Sequence, residues 1–130
     1  QFIRHLKVLE YPITSKNFDF IGFNTQIEEF GRKHRISQRS IYNIQAFIEE
    51  MCVQIILLQL QNPFEMLVTI EYSEELDDAD VVIRYNGESF DPMQTENDLS
   101  LLLAKKVTES IRYSFDAGQV LPNRVDAQIH

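Results

Sequence analysis

Hydrophobic and polar positions alternate with two different periods along this chain, and the switches between periods mark its elements. Phe20, Phe23, Ile27 and Phe30 recur at steps of three and four, the spacing that gathers side chains on one face of a helix. The predicted helix runs from Asn17 to Lys33. Gly22 weakens it slightly, and Gly31-Arg32-Lys33 suits a C-terminus, where cations meet the negative end of the helix dipole. Core packing is the expected role of its aromatic stripe. Ile41, Ile44, Ile48, Met51, Cys52 and Ile55 form a broader apolar face over Gln38 to Leu58, with Ser37 or Ser40 as the cap. Glu50 and Gln54, four residues apart, lie together and away from the centre of that face, where a solvated polar edge is expected. Leu99, Leu102, Leu103 and Val107 predict a third helix from Asp98 to Ser110.

Elsewhere the period is two. Leu6 to Tyr11 reads as an edge strand, with Pro12 beside it. Asn62-Pro63 closes the long helix, and Met66, Val68, Ile70 and Tyr72 then alternate with Leu67, Thr69 and Glu71. The acidic turn Glu74-Glu75-Leu76-Asp77-Asp78 leads into Val81-Val82-Ile83-Arg84, so these two strands are expected to pair as an antiparallel hairpin. That turn lacks the ligand spacing and the glycine of a calcium loop. Met93 to Asn97 reads as loop. Ile111, Tyr113 and Phe115 alternate in a further strand, Ala117-Gly118 marks a turn, and Val125, Ala127 and Ile129 alternate in the last strand. Strand, two helices, two strands, helix, two strands is the order of an α/β, two-layer sandwich. Its sheet is expected to be mixed and mostly antiparallel, with about three helices on one face. Residues 1–10 read as a junction or edge strand and residues 11–130 as the domain proper, with no internal repeat or linker.

Composition narrows the class without naming a function. At 130 residues the chain can bury a core without disulfides or metal. A net charge of -8 argues against a nucleic-acid partner, which selects a basic face. No apolar run is long enough to span a bilayer. Cys52 is the only cysteine, which fits a reducing, cytoplasmic compartment, and His5, His34 and His130 lack metal-ligand spacing. The start at Gln1 without a signal-peptide pattern is expected of a piece of a longer protein or of a processed product.

The stretch with candidate chemistry is Tyr85-Asn86-Gly87-Glu88-Ser89-Phe90-Asp91-Pro92, a turn at the end of a strand with Gly87 free to take positive φ. With Ile48-Glu49-Glu50-Met51-Cys52-Val53-Gln54 before it and Asn97-Asp98-Leu99-Ser100-Leu101-Leu102-Leu103 after it, the chain resembles the histidine-kinase-like ATPase superfamily, the GHKL or Bergerat fold. The likeness covers about Tyr11 to Ile129 and is nearest to the anti-sigma-factor serine-kinase branch. The three stretches correspond to the family's Glu-x-x-x-Asn helix motif, its first glycine box (Asp-x-Gly-x-x-Phe-Asp) and its second (Gly-Leu-Gly-Leu).

That resemblance implies Mg-ATP as cofactor, Glu50 as general base, and Gln54 as the amide that holds Mg²⁺. It also implies that Tyr85, Gly87, Phe90, Asp98, Leu99 and Ser100 line the nucleotide. The sequence departs from the pattern at four of these positions. Gln54 carries its amide one methylene further out than asparagine, although Mg²⁺ demands near-ideal geometry. Tyr85 stands in place of the adenine-reading aspartate and is bulky enough to fill the adenine slot. Asp98 and Ser100 replace both glycines of the second box, and a carboxylate at a helix N-terminus satisfies the N–H groups that would hold phosphate. Lys105 and Lys106 lie one to two turns down the same helix.

Two functions stay open on these residues. One is a degenerate domain with weak or absent ATP binding, acting as a regulatory or protein-interaction module. The other is an ATP-dependent serine kinase that phosphorylates a small antagonist protein and holds a sigma factor. The resemblance also admits a cytosolic C-terminal domain fused to a membrane protein such as a transporter, tethered to the inner face of the membrane through it. An apolar wall of Phe90 and Leu99 would admit a different ligand.

Overall fold

A computed structural model describes residues 6–14, 19–58, 64–94 and 98–130, with the side chains of residues 6, 57, 58, 98 and 100 outside the description. Its elements are β1 (Leu6–Ile13), α1 (Phe20–Lys33), α2 (Gln38–Leu58), β2 (Met66–Ser73), β3 (Asp78–Tyr85), a 3-10 turn (Pro92–Gln94), α3 (Asp98–Lys106), β4 (Thr108–Phe115) and β5 (Asn123–Ile129). The strands form one sheet in the order β1-β2-β3-β5-β4. This is the two-layer α/β architecture that the element order implies. All four ladders are antiparallel, so the sheet is purely rather than mostly antiparallel. The reason is topological: the β4–β5 hairpin folds back so that β5, not β4, pairs with β3.

The period-two pattern decides which sheet face is covered. Val68, Ile70 and Tyr72 on β2, Val81, Ile83 and Tyr85 on β3, and Val125, Ala127 and Ile129 on β5 are all buried. The alternate positions, among them Glu71, Arg84, Arg124 and Asp126, lie on the face without helices, the usual solvated side of an antiparallel sheet. On that face Arg124 pairs with Asp126 at 2.8 Å, which raises the guanidinium pKa further.

Helix α2 lies along the covered face because its apolar stripe is broad. Ile41, Ile44, Phe47, Ile48, Met51, Cys52 and Ile55 are each no more than 4% exposed. Ser37 is its cap, accepting the Ser40 N–H at 3.1 Å on its hydroxyl. Phe23, Ile27 and Phe30 bury the inner face of α1, and Phe23 stacks on Tyr11 of β1 at 4.1 Å. Gly31 lies where α1 and α2 approach: a Cβ there would sit 2.5 Å from Ile41 Cδ1. The chain leaves α1 through Arg35, held in the left-handed region at φ 57°, while the Ile36 N–H closes on the Gly31 carbonyl at 2.9 Å.

Two boundaries move relative to the periodicity. Helix α3 stops at Lys106 rather than Ser110, and β4 begins at Thr108. The β-branched Thr108 donates its hydroxyl to the Lys105 carbonyl at 3.3 Å, and pairing with Ile129 draws it into the sheet. Strand β1 continues through Pro12 to Ile13, and it is an edge strand, the place in a sheet where proline is tolerated. The expected helix start at Asn17, the break at Asn62-Pro63 and the loop end at Asn97 fall outside the described residues.

Candidate functional site

The turn after β3 is fastened to β5 by one side chain. Asn123 shares the inward parity of Val125, Ala127 and Ile129, is fully buried, and faces Tyr85 across the β3–β5 ladder. Its amide nitrogen donates to the Glu88 carbonyl at 3.1 Å and lies 3.4 Å from those of Tyr85, Asn86 and Gly87. Two amide hydrogens shared among four carbonyls make a branched arrangement, with Glu88 its shortest leg. The amide oxygen accepts from the Phe90 N–H at 3.0 Å and from the Tyr113 hydroxyl at 2.5 Å. Tyr113 itself accepts from the Phe90 N–H at 3.0 Å and lies 3.0 Å from the Ser89 hydroxyl.

Tyr85 completes the closure. Its ring is 0% exposed, and its hydroxyl donates to the Phe90 carbonyl, so the phenol spans the turn it begins. Burial, with Tyr113 and Asp91 nearby, holds its pKa far above the ordinary tyrosine value. Gly87 takes φ 97°, a conformation that costs any residue with a Cβ. Asn86 pins the outer side: its N–H donates to the Glu65 carbonyl and its side-chain oxygen accepts the Glu65 N–H, both at 3.0 Å. Asp91 caps the 3-10 turn, accepting from the Met93 N–H at 2.9 Å on its side chain and from the Gln94 N–H at 3.1 Å on its carbonyl.

The polarity of this loop follows from those bonds. Its carbonyls from Tyr85 to Glu88 turn inward to Asn123, and the N–H groups of Asn86, Phe90, Met93 and Gln94 are taken by the chain, whereas those of Gly87, Glu88 and Ser89 have no partner among the described residues. A loop that cradles an anion converges its N–H groups, rather than its carbonyls, on one point.

The remaining candidate residues divide between two places. Glu50 is half-buried and lines a depression of about 480 Å³ on the outer side of α2, with Leu103 and Lys106 of α3 and Val107 just after it. Gln54 is only 4% exposed, which corrects the solvated edge expected from its helical angle. The 3-10 turn and α3 pack on α2, and a single-helix projection has no knowledge of them. Leu99 is 68% exposed while Phe90 packs against the core, so the pair does not form one buried apolar wall. Asp98 and Ser100 fall in the first turn of α3, their side chains outside the description. The depressions on the helix-free sheet face, at the β4–β5 loop, at the α1–α2 corner and on outer α2 are lined by none of Gln54, Tyr85, Gly87 or Phe90.

The Gln54 side chain has no hydrogen-bond partner among the described residues, an unusual state for a buried amide. Gln54→Met, similar in volume, is expected to raise stability by about 1 kcal/mol by removing that desolvation cost. The urea midpoint at unchanged m-value reads it, and a loss of similar size would show that the amide has a partner.

Periodicity reasoning missed Asn123 and treated Tyr113 as one more alternating strand residue. A signal was present: asparagine is depleted in strands, yet Asn123 falls on the buried parity of β5. Cys52 is buried, with its Sγ 3.7 Å from Met66 Sδ and its thiol pushed up to about 12 by burial, which leaves it unreactive. Among the described residues no group of three or more His, Cys, Asp or Glu side chains is placed to hold a metal ion, and no helix is long and apolar enough to cross a membrane.

Fold and site together define a two-layer α/β domain whose β3 turn is closed by a buried strand asparagine and two tyrosines. No protein-family model matches the chain, and no curated protein matches it.

Proposed function

We propose that the protein is a degenerate histidine-kinase-like ATPase domain, with the nucleotide site replaced by packing and with a regulatory, protein-binding role. The observation that carries this reading is the buried Tyr85 ring, at the position where the resemblance places the adenine-reading aspartate. The Asn123 network supports it, because the turn that would approach a nucleotide spends its carbonyls and the Phe90 N–H on the chain itself. Glu50, the general base of the serine-kinase reading, lines a depression that Tyr85 and Gly87 do not share. Calorimetric titration with millimolar Mg·ATP is expected to give no binding heat. A dissociation constant of about 1 μM, worth about 8 kcal/mol, would overturn the reading in favour of an active kinase.

A further inference from the structure

The two edges of the sheet are finished differently. Strands β1 and β4 are outermost. Strand β1 carries Lys7, Glu10 and Pro12, the charges and proline with which proteins blunt an edge. Strand β4 contains no proline, and its one irregularity lies between Thr108 and Ser110, so it is regular from Ser110 to Phe115. The register fixes which of its groups face out. The Asp116 N–H donates to the Pro122 carbonyl at 2.9 Å, which makes these two a hydrogen-bonded pair beside the Phe115–Asn123 pair. Hydrogen-bonded and non-hydrogen-bonded pairs alternate along an antiparallel ladder. Ser110, Arg112 and Ser114 therefore bond to β5, while the N–H and C=O groups of Ile111, Tyr113 and Phe115 turn to the open edge. Among the described residues those groups have no partner. They recur about every 7 Å, the two-residue repeat of an extended chain.

Side chains on the two faces of that edge select the segment that would complete it. On the helix-covered face Ile111 and Tyr113 are only partly covered and Phe115 is 41% exposed, an apolar row that a further strand would extend. On the opposite face Arg112 is exposed and has no ion pair among the described residues. Its cross-strand neighbour Asp126 is already held by Arg124 through both carboxylate oxygens, at 2.8 and 2.9 Å. The acids at the ends of β4 are engaged too, Glu109 by His130 at 2.7 Å and Asp116 by the Gly118 N–H at 3.0 Å. The other carboxylates lining that face, Glu10, Glu71 and Asp80, stand on β1, β2 and β3, so the surplus positive charge lies on the β4 side. A residue opposite Arg112 on an added strand would form a close, non-hydrogen-bonded pair with it, where a carboxylate is favoured. A second β4 offers none there, because its own residues on that face are Ser110, Arg112 and Ser114. We propose that the open edge of β4 receives an extended segment of another protein, in which apolar residues alternate with acidic ones. That edge is independent of the nucleotide question, so binding of Mg·ATP would leave it open.

Amide hydrogen exchange followed by NMR on the whole chain tests this. The probes are a capped synthetic peptide of alternating valine and glutamate, 8 residues long like β4, and the same peptide with lysine in place of glutamate. In the free protein the Ile111, Tyr113 and Phe115 amides are expected to exchange at least about tenfold faster than those of Arg112 and Ser114. The glutamate peptide at about 1 mM is expected to slow those three amides about tenfold, the protection that a dissociation constant of about 100 μM confers. The lysine peptide is expected to leave them unchanged. Arg112→Glu, at an exposed position, should reverse the preference between the peptides, and Arg112→Gln should abolish it. Slow exchange of the three amides in the dilute free protein would overturn the proposal, because the chain would then cover its own edge. Equal protection by both peptides, or none by either, would overturn it as well. So would protection that grows with protein concentration alone, which would give the edge to a second copy.

Discussion

Asn123→Asp is expected to destabilise the protein by about 3–5 kcal/mol at neutral pH, the range for a buried charge or hydrogen-bond network left uncompensated. The substitution conserves volume, so no cavity term enters. It exchanges the amide nitrogen, which faces four carbonyl oxygens at 3.1–3.4 Å, for a carboxylate oxygen that repels them. The deficit should shrink on acidification. A carboxyl group among acceptors has its folded pKa raised, so the folded state takes up a proton before the unfolded state does, and stability rises as pH falls. Tyr113→Phe removes a single hydroxyl from the same cluster and is expected to cost about 1–2 kcal/mol. Urea unfolding followed by circular dichroism measures both. An Asn123→Asp protein within about 1 kcal/mol of wild type would mean that the turn is held by something else.

Alkaline pH is expected to unfold the protein well before all of its five tyrosines would titrate freely. Cys52 is moved from 9.0 to about 12 by burial. Tyr72 is moved from 10.0 to about 12, by burial first and then by its hydrogen bond to Asp77 at 2.7 Å, and Tyr85 is raised further. These folded-state values are raised, so the stability linked to them is complete below the unfolded pKa values and is lost as pH climbs toward the folded ones. Above pH 9 the unfolded chain releases protons that the folded chain retains, which makes the slope of stability against pH negative. Each group contributes about 1.4 kcal/mol per pH unit once its unfolded value is passed. With all three in play the slope triples, enough to exhaust an ordinary stability of about 5–15 kcal/mol within a few pH units. Tyrosinate absorbance should therefore rise in two stages, the later one coincident with loss of the far-ultraviolet dichroism. Complete ionisation of all tyrosines in a chain that keeps its native dichroism would contradict the burial of Tyr85.

The elements of this fold were legible because the forces that set them act over a few residues. Ser37 caps α2 through an N–H three positions away, and the strand faces follow from a period of two. The first boundary to slip, between α3 and β4, is one where Thr108 is claimed by a strand partner twenty-one positions later. The candidate site was less legible for the same reason. Glu50 and Gln54 are one helical turn apart, and helical geometry alone sends both toward solvent. In the folded chain Gln54 is buried while Glu50 stays half-exposed.

By itself the amino-acid sequence determined the order and type of the elements, the covered sheet face and the turn at Gly87, and it narrowed the α2 cap to Ser37 or Ser40. These rest on periodicity and on local backbone chemistry. Tertiary structure alone decided which α3 stripe is buried, whether Tyr85 points inward, and how the turn satisfies its polar groups. Those outcomes depend on groups far apart in the chain: Asn123 lies 33 residues beyond the Phe90 N–H that it accepts. A loop's capacity to hold a ligand depends on where its donors and acceptors are already spent, and here four carbonyls and the Phe90 N–H are spent on Asn123 of β5.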